Sequence, residues 1–144
     1  MGPVAGPGIK VPILAGGPMA ATFAPRLNAL GMNITAVAAE YGRASAMKLC
    51  RSIMIKGIEA LIIDCARAAK QWNVEKEVYA SLRDTFPATD WAATADNMAA
   101  RVARHGLRRA AEMREAAQMV GDLDVDPALI LSVADALQRA AAPK

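Results

Sequence analysis

The 144-residue chain has 54% hydrophobic but only 4% aromatic residues, which suits one domain's worth of alanine-rich, aliphatic, close-packed helices. Its net charge of +3, from 17 basic and 14 acidic residues that interleave, is too mild to imply nucleic acid. No long uninterrupted apolar run suggests a membrane span, and the N-terminus has glycine and proline where a signal peptide would be basic and then apolar.

Residues 1–17 read as the interior of something larger. Met1–Val4 suits the end of a strand, Ala5–Gly8 a loop, and Val11–Ala15 a second strand closed by Gly16 and Gly17. Pro18 belongs in the first turn of a helix that runs to Leu30 and stops at Gly31; Pro25 inside it predicts a kink or break. Asn33–Ala38 is short and β-branched, a third strand. So few strands do not make a stable sheet alone, so this piece, residues 1–40, needs a sheet to join.

From Gly42 to Trp72 the pattern predicts one long helix, with no proline and a single internal glycine, Gly57. Its apolar residues cover most of the circumference, which predicts a buried helix. Lys48, Ser52, Lys56 and Glu59 form one narrow polar stripe on it. Cys50 and Cys65 lie about four turns apart within it. Without CxxC spacing they read as small buried hydrophobes, zinc is not expected, and the cytoplasm is the default compartment.

Everything after Trp72 reads as helical. Asn73 marks a turn, and a helix with Glu75 and Glu77 in its first turn runs to Phe86, ended by Pro87. Thr89 or Asp90 caps the next helix, Trp91 to His105, with Gly106 as a break. Leu107–Val120 follows, and Asp126-Pro127 opens a last helix to about Ala140. His105 is expected to place a cation at a helix C-terminus, and Trp72 and Trp91 to be core or dimer-contact residues.

The order of parts carries a resemblance. A Pro3-Val4-x-Gly6 loop, a strand, Gly-Gly, a helix, a Gly31-Met-x-Ile34 strand and then Gly42-x-Ala-x-x-x-Lys48-Leu-x-x-Ser52 together resemble the β-hydroxyacid dehydrogenase family. That family includes 6-phosphogluconate dehydrogenase and 3-hydroxyisobutyrate dehydrogenase. The stretch from Lys48 to Trp72 and the run His105-Gly-Leu-Arg-Arg-Ala-Ala-Glu-Met are similar to a bacterial, NAD-binding, phosphogluconate-dehydrogenase-like branch. The implied fold is mainly α: the last strands and helix of a Rossmann domain over residues 1–40, then an all-helical domain over residues 41–144. The family's G-x-G-x-x-G fingerprint after a strand is absent here, so the chain is expected to be the C-terminal part of the family's protein.

The resemblance also implies roles. Lys48 matches the catalytic lysine, acid and base on the substrate hydroxyl during hydride transfer; the chemistry favours a lysine that burial makes easier to deprotonate. Ser52 stands where the family has an asparagine facing substrate. Ala5 and Gly6 stand in the substrate loop, without the family's serine. Arg108 corresponds to a late cation that can bind a substrate carboxylate. NAD or NADP is the implied cofactor of the complete enzyme, not expected to bind tightly to this chain alone. A small hydroxy acid is the implied substrate, and a homodimer the implied assembly, with no nucleic acid, membrane or metal. The alternative is a non-catalytic helical dimerisation module. Read without the family, Lys48 snorkels to solvent, Ser52 bonds back to its own helix, and Arg108 and Arg109 pair with Glu112 and Glu115 along one surface.

Overall fold

The computed structural model describes residues 6–141; the strand expected at Met1–Val4 and the loop residue Ala5 lie outside them. The described chain is mainly helical, with one two-stranded parallel sheet, as the sequence implied. It divides into two compact units, Met1–Arg51 and Ser52–Lys144, with the division falling inside the long helix rather than at its start.

In the first unit a 3-10 turn, Gly8–Lys10, leads into strand β1, Pro12–Gly16. Helix α1, Ala20–Ala29, then carries the chain over to β2, Asn33–Ala38, which pairs in parallel with β1 from Pro12↔Asn33 onward. The pairing slips by one residue after Ala15, so Gly16 partners Ala38. The βαβ unit is pinned by one side chain. Asn28 at the end of α1 donates from Nδ2 to the Ile34 carbonyl at 2.9 Å and accepts the Ile34 N–H on Oδ1 at 2.7 Å. Gly31 turns the chain between them at φ +90°, a conformation open to glycine without strain. The break expected at Pro25 does not occur: α1 runs through it. One missing N–H is tolerable in a helix this short when its far end is bonded to the strand it packs on.

Helix α2, Arg43–Trp72, follows the predicted extent closely. It ends where Asn73 turns left-handed at φ 55°, its N–H bonded to the Lys70 carbonyl and that of Val74 to the Ala69 carbonyl. Helix α3, Glu75–Thr85, has its two glutamates at the dipole-favoured end. The Phe86 ring then meets Trp91 edge-on, with centroids 5.7 Å apart.

The largest departure is helix α4, Trp91–Gly121, one unbroken helix where two were expected. Asp90 caps it as predicted, accepting the Ala93 N–H at 3.0 Å. Gly106 is not a break because it serves a contact. Helix α5, Ala128–Ala141, comes so near that a Cβ on Gly106 would stand 2.5 Å from the Ala141 Cβ and 2.7 Å from the Leu137 carbonyl oxygen. His105 is consequently mid-helix and exposed, not at a C-terminus. Along this seam Val102, Ala110, Met113, Ala116, Ala134 and Leu137 are almost wholly buried, and mostly small side chains let the helices approach closely. Asp126 opens α5 by accepting the Ala128 N–H at 2.9 Å.

Candidate functional site

The long helix is not buried all round. Leu49, Ala60, Ile63 and Ala69 are inside, but Met47, Met54, Ile58, Leu61 and Trp72 are exposed, and so are both cysteines. Amphipathicity alone could not foresee this, because α2 turns its charges inward. Lys56 is 4% exposed and Glu59 is 0% exposed.

Those charges meet α4 in the second unit. The Lys56 Nζ lies 2.7 Å from Glu112 Oε2. Glu59 is ion-paired by Arg109 through one carboxylate oxygen and by Arg101, at 3.2 Å, through the other. Arg108 completes the set by donating to Glu112 at 2.6 Å, one turn along α4. The pairs Lys56–Glu112 and Glu59–Arg109 advance on α2 as they retreat on α4, so the two helices run antiparallel in a fixed register. Neither Glu59 oxygen has a partner in hydrogen-bond geometry among the described residues, and the buried Arg109 Nε meets no acceptor. The pairing is therefore charge on charge. Burial lowers the Arg109 pKa from its ordinary value, and the Glu112 carboxylate opposes that. The sequence stripe flagged Lys56 and Glu59, but not that Arg101, Arg109 and Glu112 would receive them.

The residues expected in a substrate site fall differently. Lys48 lies on α2 in the first unit and is exposed, contrary to the burial expected of it. Ser52 follows four residues later, half-buried, at the start of the second unit. Gly6 is exposed, with φ +102°. Arg108 is exposed and engaged by Glu112, the local pairing that its spacing allowed. The register places Ser52 level with Ala116, eight residues from Arg108, or roughly 12 Å along α4. The structure thus does not bring Arg108 and Ser52 together.

A separate pocket of about 220 Å³ lies against Arg67, Lys70, Glu75, Tyr79 and Asp96. Burial, then Cys65, Glu75 and Asp96, push the Tyr79 pKa upward. No group of three or more His, Cys, Asp or Glu side chains is placed to hold a metal among the described residues, and no helix is long and apolar enough to cross a membrane.

With this geometry in hand, comparison with known proteins is informative. The family DUF1932, a domain of unknown function, matches residues 69–140, half of the chain. The chain belongs to the DUF1932 family. A conserved hypothetical protein from Sinorhizobium meliloti 1021 is 39% identical, with a TM-score of 0.88 over 98% of this chain and 47% of its own. Conserved protein MTH1747, whose structure is described as similar to 3-hydroxyacid dehydrogenases, is 33% identical, with a TM-score of 0.80 over 97% of this chain and 54% of its own. The DUF1932 chain therefore spans about half the length of each. No curated protein matches it. The hydroxyacid-dehydrogenase resemblance read from the motifs is borne out at the level of fold.

A dinucleotide site of the Rossmann kind needs a glycine-rich turn into a helix N-terminus where a pyrophosphate can lie. Among the described residues of the DUF1932 chain one strand–Gly–Gly–helix turn occurs, at Gly16-Gly17. A Cβ on Gly17, whose φ is +121°, would stand 3.3 Å from the Tyr41 ring, and one on Gly16 3.2 Å from the Ala44 Cβ. Side chains, not open space, face these two glycines.

Proposed function

We propose that this DUF1932 chain is the substrate-side part of a dehydrogenase acting on a small hydroxy acid. Lys48 takes the hydroxyl proton as the alcohol becomes a carbonyl and returns it in the reverse direction. The supporting observation is that the chain shares its fold and a third of its sequence with a protein of 3-hydroxyacid-dehydrogenase-like structure. Lys48 stands on helix α2 at the position that matches the family's lysine, with Ser52 four residues later in the sequence. The hydride acceptor, NAD or NADP, is assigned to the part of the enzyme that this chain does not match, and this chain contributes the proton. Arg108 we assign to the α2–α4 ion pairs rather than to a substrate carboxylate, and Ala5 and Gly6 to the loop bordering the substrate.

The test completes the chain with the part of the Sinorhizobium meliloti relative that it does not match, then screens 2- and 3-hydroxy acids with both nicotinamide cofactors. Cofactor reduction with at least one acid is expected. One observation favours the other reading, a non-catalytic helical module: Lys48 is exposed where a catalytic amine is usually enclosed. A completed protein that binds dinucleotide yet turns over no hydroxy acid would support the module and end the enzyme reading.

A further inference from the structure

Near its C-terminal end, helix α2 borders the pocket of about 220 Å³, which α3, α4 and the last turn of α5 also line. All of its lining belongs to the second unit. Arg67 stands well past Ser52 on α2, roughly 22 Å along the helix, so this pocket is apart from the hydroxyl assigned to the hydroxy acid. Its walls carry opposite charges. Arg67 and Lys70, three residues apart and so on one face of α2, supply two cations. Glu75 on α3 and Asp96 on α4 supply two carboxylates, and Tyr79 stands one turn along α3 from Glu75. Burial first, then the charges of Cys65, Glu75 and Asp96, raise the Tyr79 pKa, so both carboxylates lie near its hydroxyl. The rest of the lining is Ile63 and four alanines. The two walls do not close on each other. Arg67 meets Asp64 of its own helix at 3.6 Å, an exposed pair, and Lys70, Glu75 and Asp96 have no ion-pair partner among the described residues.

We propose that this pocket binds a small amino acid as its zwitterion, the carboxylate on Arg67 and Lys70 and the ammonium on Glu75, Asp96 and the Tyr79 oxygen. The charges select the ligand class. A simple anion would satisfy the cations but sit beside two carboxylates, and a simple cation would meet the reverse; like charges brought together reject both. A molecule with both charges suits both walls. Arg67 is well shaped for the carboxylate, since its planar guanidinium takes two oxygens at once, and its exposed pair with Asp64 is weak enough to exchange. The raised pKa of Tyr79 keeps its phenol neutral, so the oxygen accepts from the ammonium without adding a third negative charge. Size agrees. Pockets for drug-sized ligands run to roughly 300–1,000 Å³, so one of about 220 Å³ takes something smaller. The alanines leave room for a short side chain and offer a polar one no partner. Such binding needs no part of the dehydrogenase chemistry.

The test titrates the whole chain, isotope-labelled for NMR at neutral pH, with glycine, L-alanine, β-alanine and γ-aminobutyrate, and separately with propionate and ethylamine. At least one of the four amino acids is expected to give saturable shifts at the Ala66, Ala95 and Ala99 amides in the millimolar range or below. Propionate and ethylamine, with one charge each, should bind at least about tenfold more weakly, the usual loss when a hydrogen bond to a charged group is removed. Lys70→Met and Asp96→Asn should each weaken the best amino acid by a similar factor; both side chains are exposed, so the circular dichroism spectrum should not change. No saturable shift with any of the four amino acids overturns the proposal. Propionate binding as tightly as the best amino acid overturns it too, in favour of a plain anion site, and so does ethylamine doing so, in favour of a cation site. Unchanged affinity in either variant overturns it as well. Binding is read without turnover, so this outcome is independent of whether the completed enzyme oxidises a hydroxy acid.

Discussion

Glu59 on α2 and Arg109 on α4 are ion-paired inside the protein, the carboxylate wholly out of solvent and the guanidinium nearly so. A buried pair of this kind contributes little net stability against an apolar pair of the same size, but removing one partner strands the other charge. Arg109→Ala and Glu59→Ala should each cost about 3–5 kcal/mol in urea unfolding. The double replacement Glu59→Ala with Arg109→Ala should be far milder than the sum of the single losses. Additive losses in that cycle would mean that the two charges are not coupled.

Gly106 should tolerate no side chain. Gly106→Ala drives a Cβ into the Leu137 carbonyl and the Ala141 Cβ, and the backbone oxygen cannot rotate away. A loss of about 1–3 kcal/mol is expected, the usual cost of overpacking. Ala141→Gly in the same chain should restore only part of it, because the Leu137 contact remains. Thermal unfolding of both variants checks this.

Chemistry at Lys48 is checked in the completed enzyme. Lys48→Met should lower kcat by about 10²–10⁴-fold, the range of general acid–base contributions, with the fold intact. Ser52→Ala should cost less, since it removes an orienting hydroxyl rather than the proton carrier. Arg108→Ala should leave KM alone and shift stability by less than about 1 kcal/mol, as expected of an exposed ion pair. A large rise in KM for Arg108→Ala would return that residue to the substrate.

Tyr79 predicts an alkaline limb in stability. Its pKa is raised in the folded chain above the ordinary 10.0, chiefly by burial. The folded state therefore holds the phenol proton more tightly than the unfolded state does. The resulting stability is complete below pH 10 and is lost as pH rises through the folded value. Urea midpoints measured from pH 9 upward should fall more steeply for the parent than for Tyr79→Phe; identical slopes would remove Tyr79 as the cause.

Much of this was legible from residues alone. The end of α2 at Asn73, the Asp90 cap and the Asp126-Pro127 start are local events, decided by side chains within a few residues of the backbone they bond. What was not legible was decided at a distance. Gly106 carries the same local signal whether it ends a helix or lets another one near, and only α5 distinguishes the two. Arg108 and Arg109 are neighbours of one type, yet one pairs along its own helix and the other is buried on Glu59. That difference follows from the α2–α4 register. Lys48 was expected inside because α2 is rich in apolar residues; it shares the stripe of Lys56 and Glu59, yet in the first unit that stripe is exposed at Lys48.

The first unit depends on which two atoms the Asn28 side chain carries. Its nitrogen donates to the Ile34 carbonyl and its oxygen accepts the Ile34 N–H, so both ends are in use. Replacing that amide by a carboxylate, as Asn28→Asp does, would put a carboxylate oxygen where the donor stood, facing a carbonyl. The bracket between α1 and β2 would then repel at one of its two bonds. Asn28→Asp, isosteric but one charge more negative, should therefore loosen the βαβ turn first, read as faster exchange of the Ile34 amide.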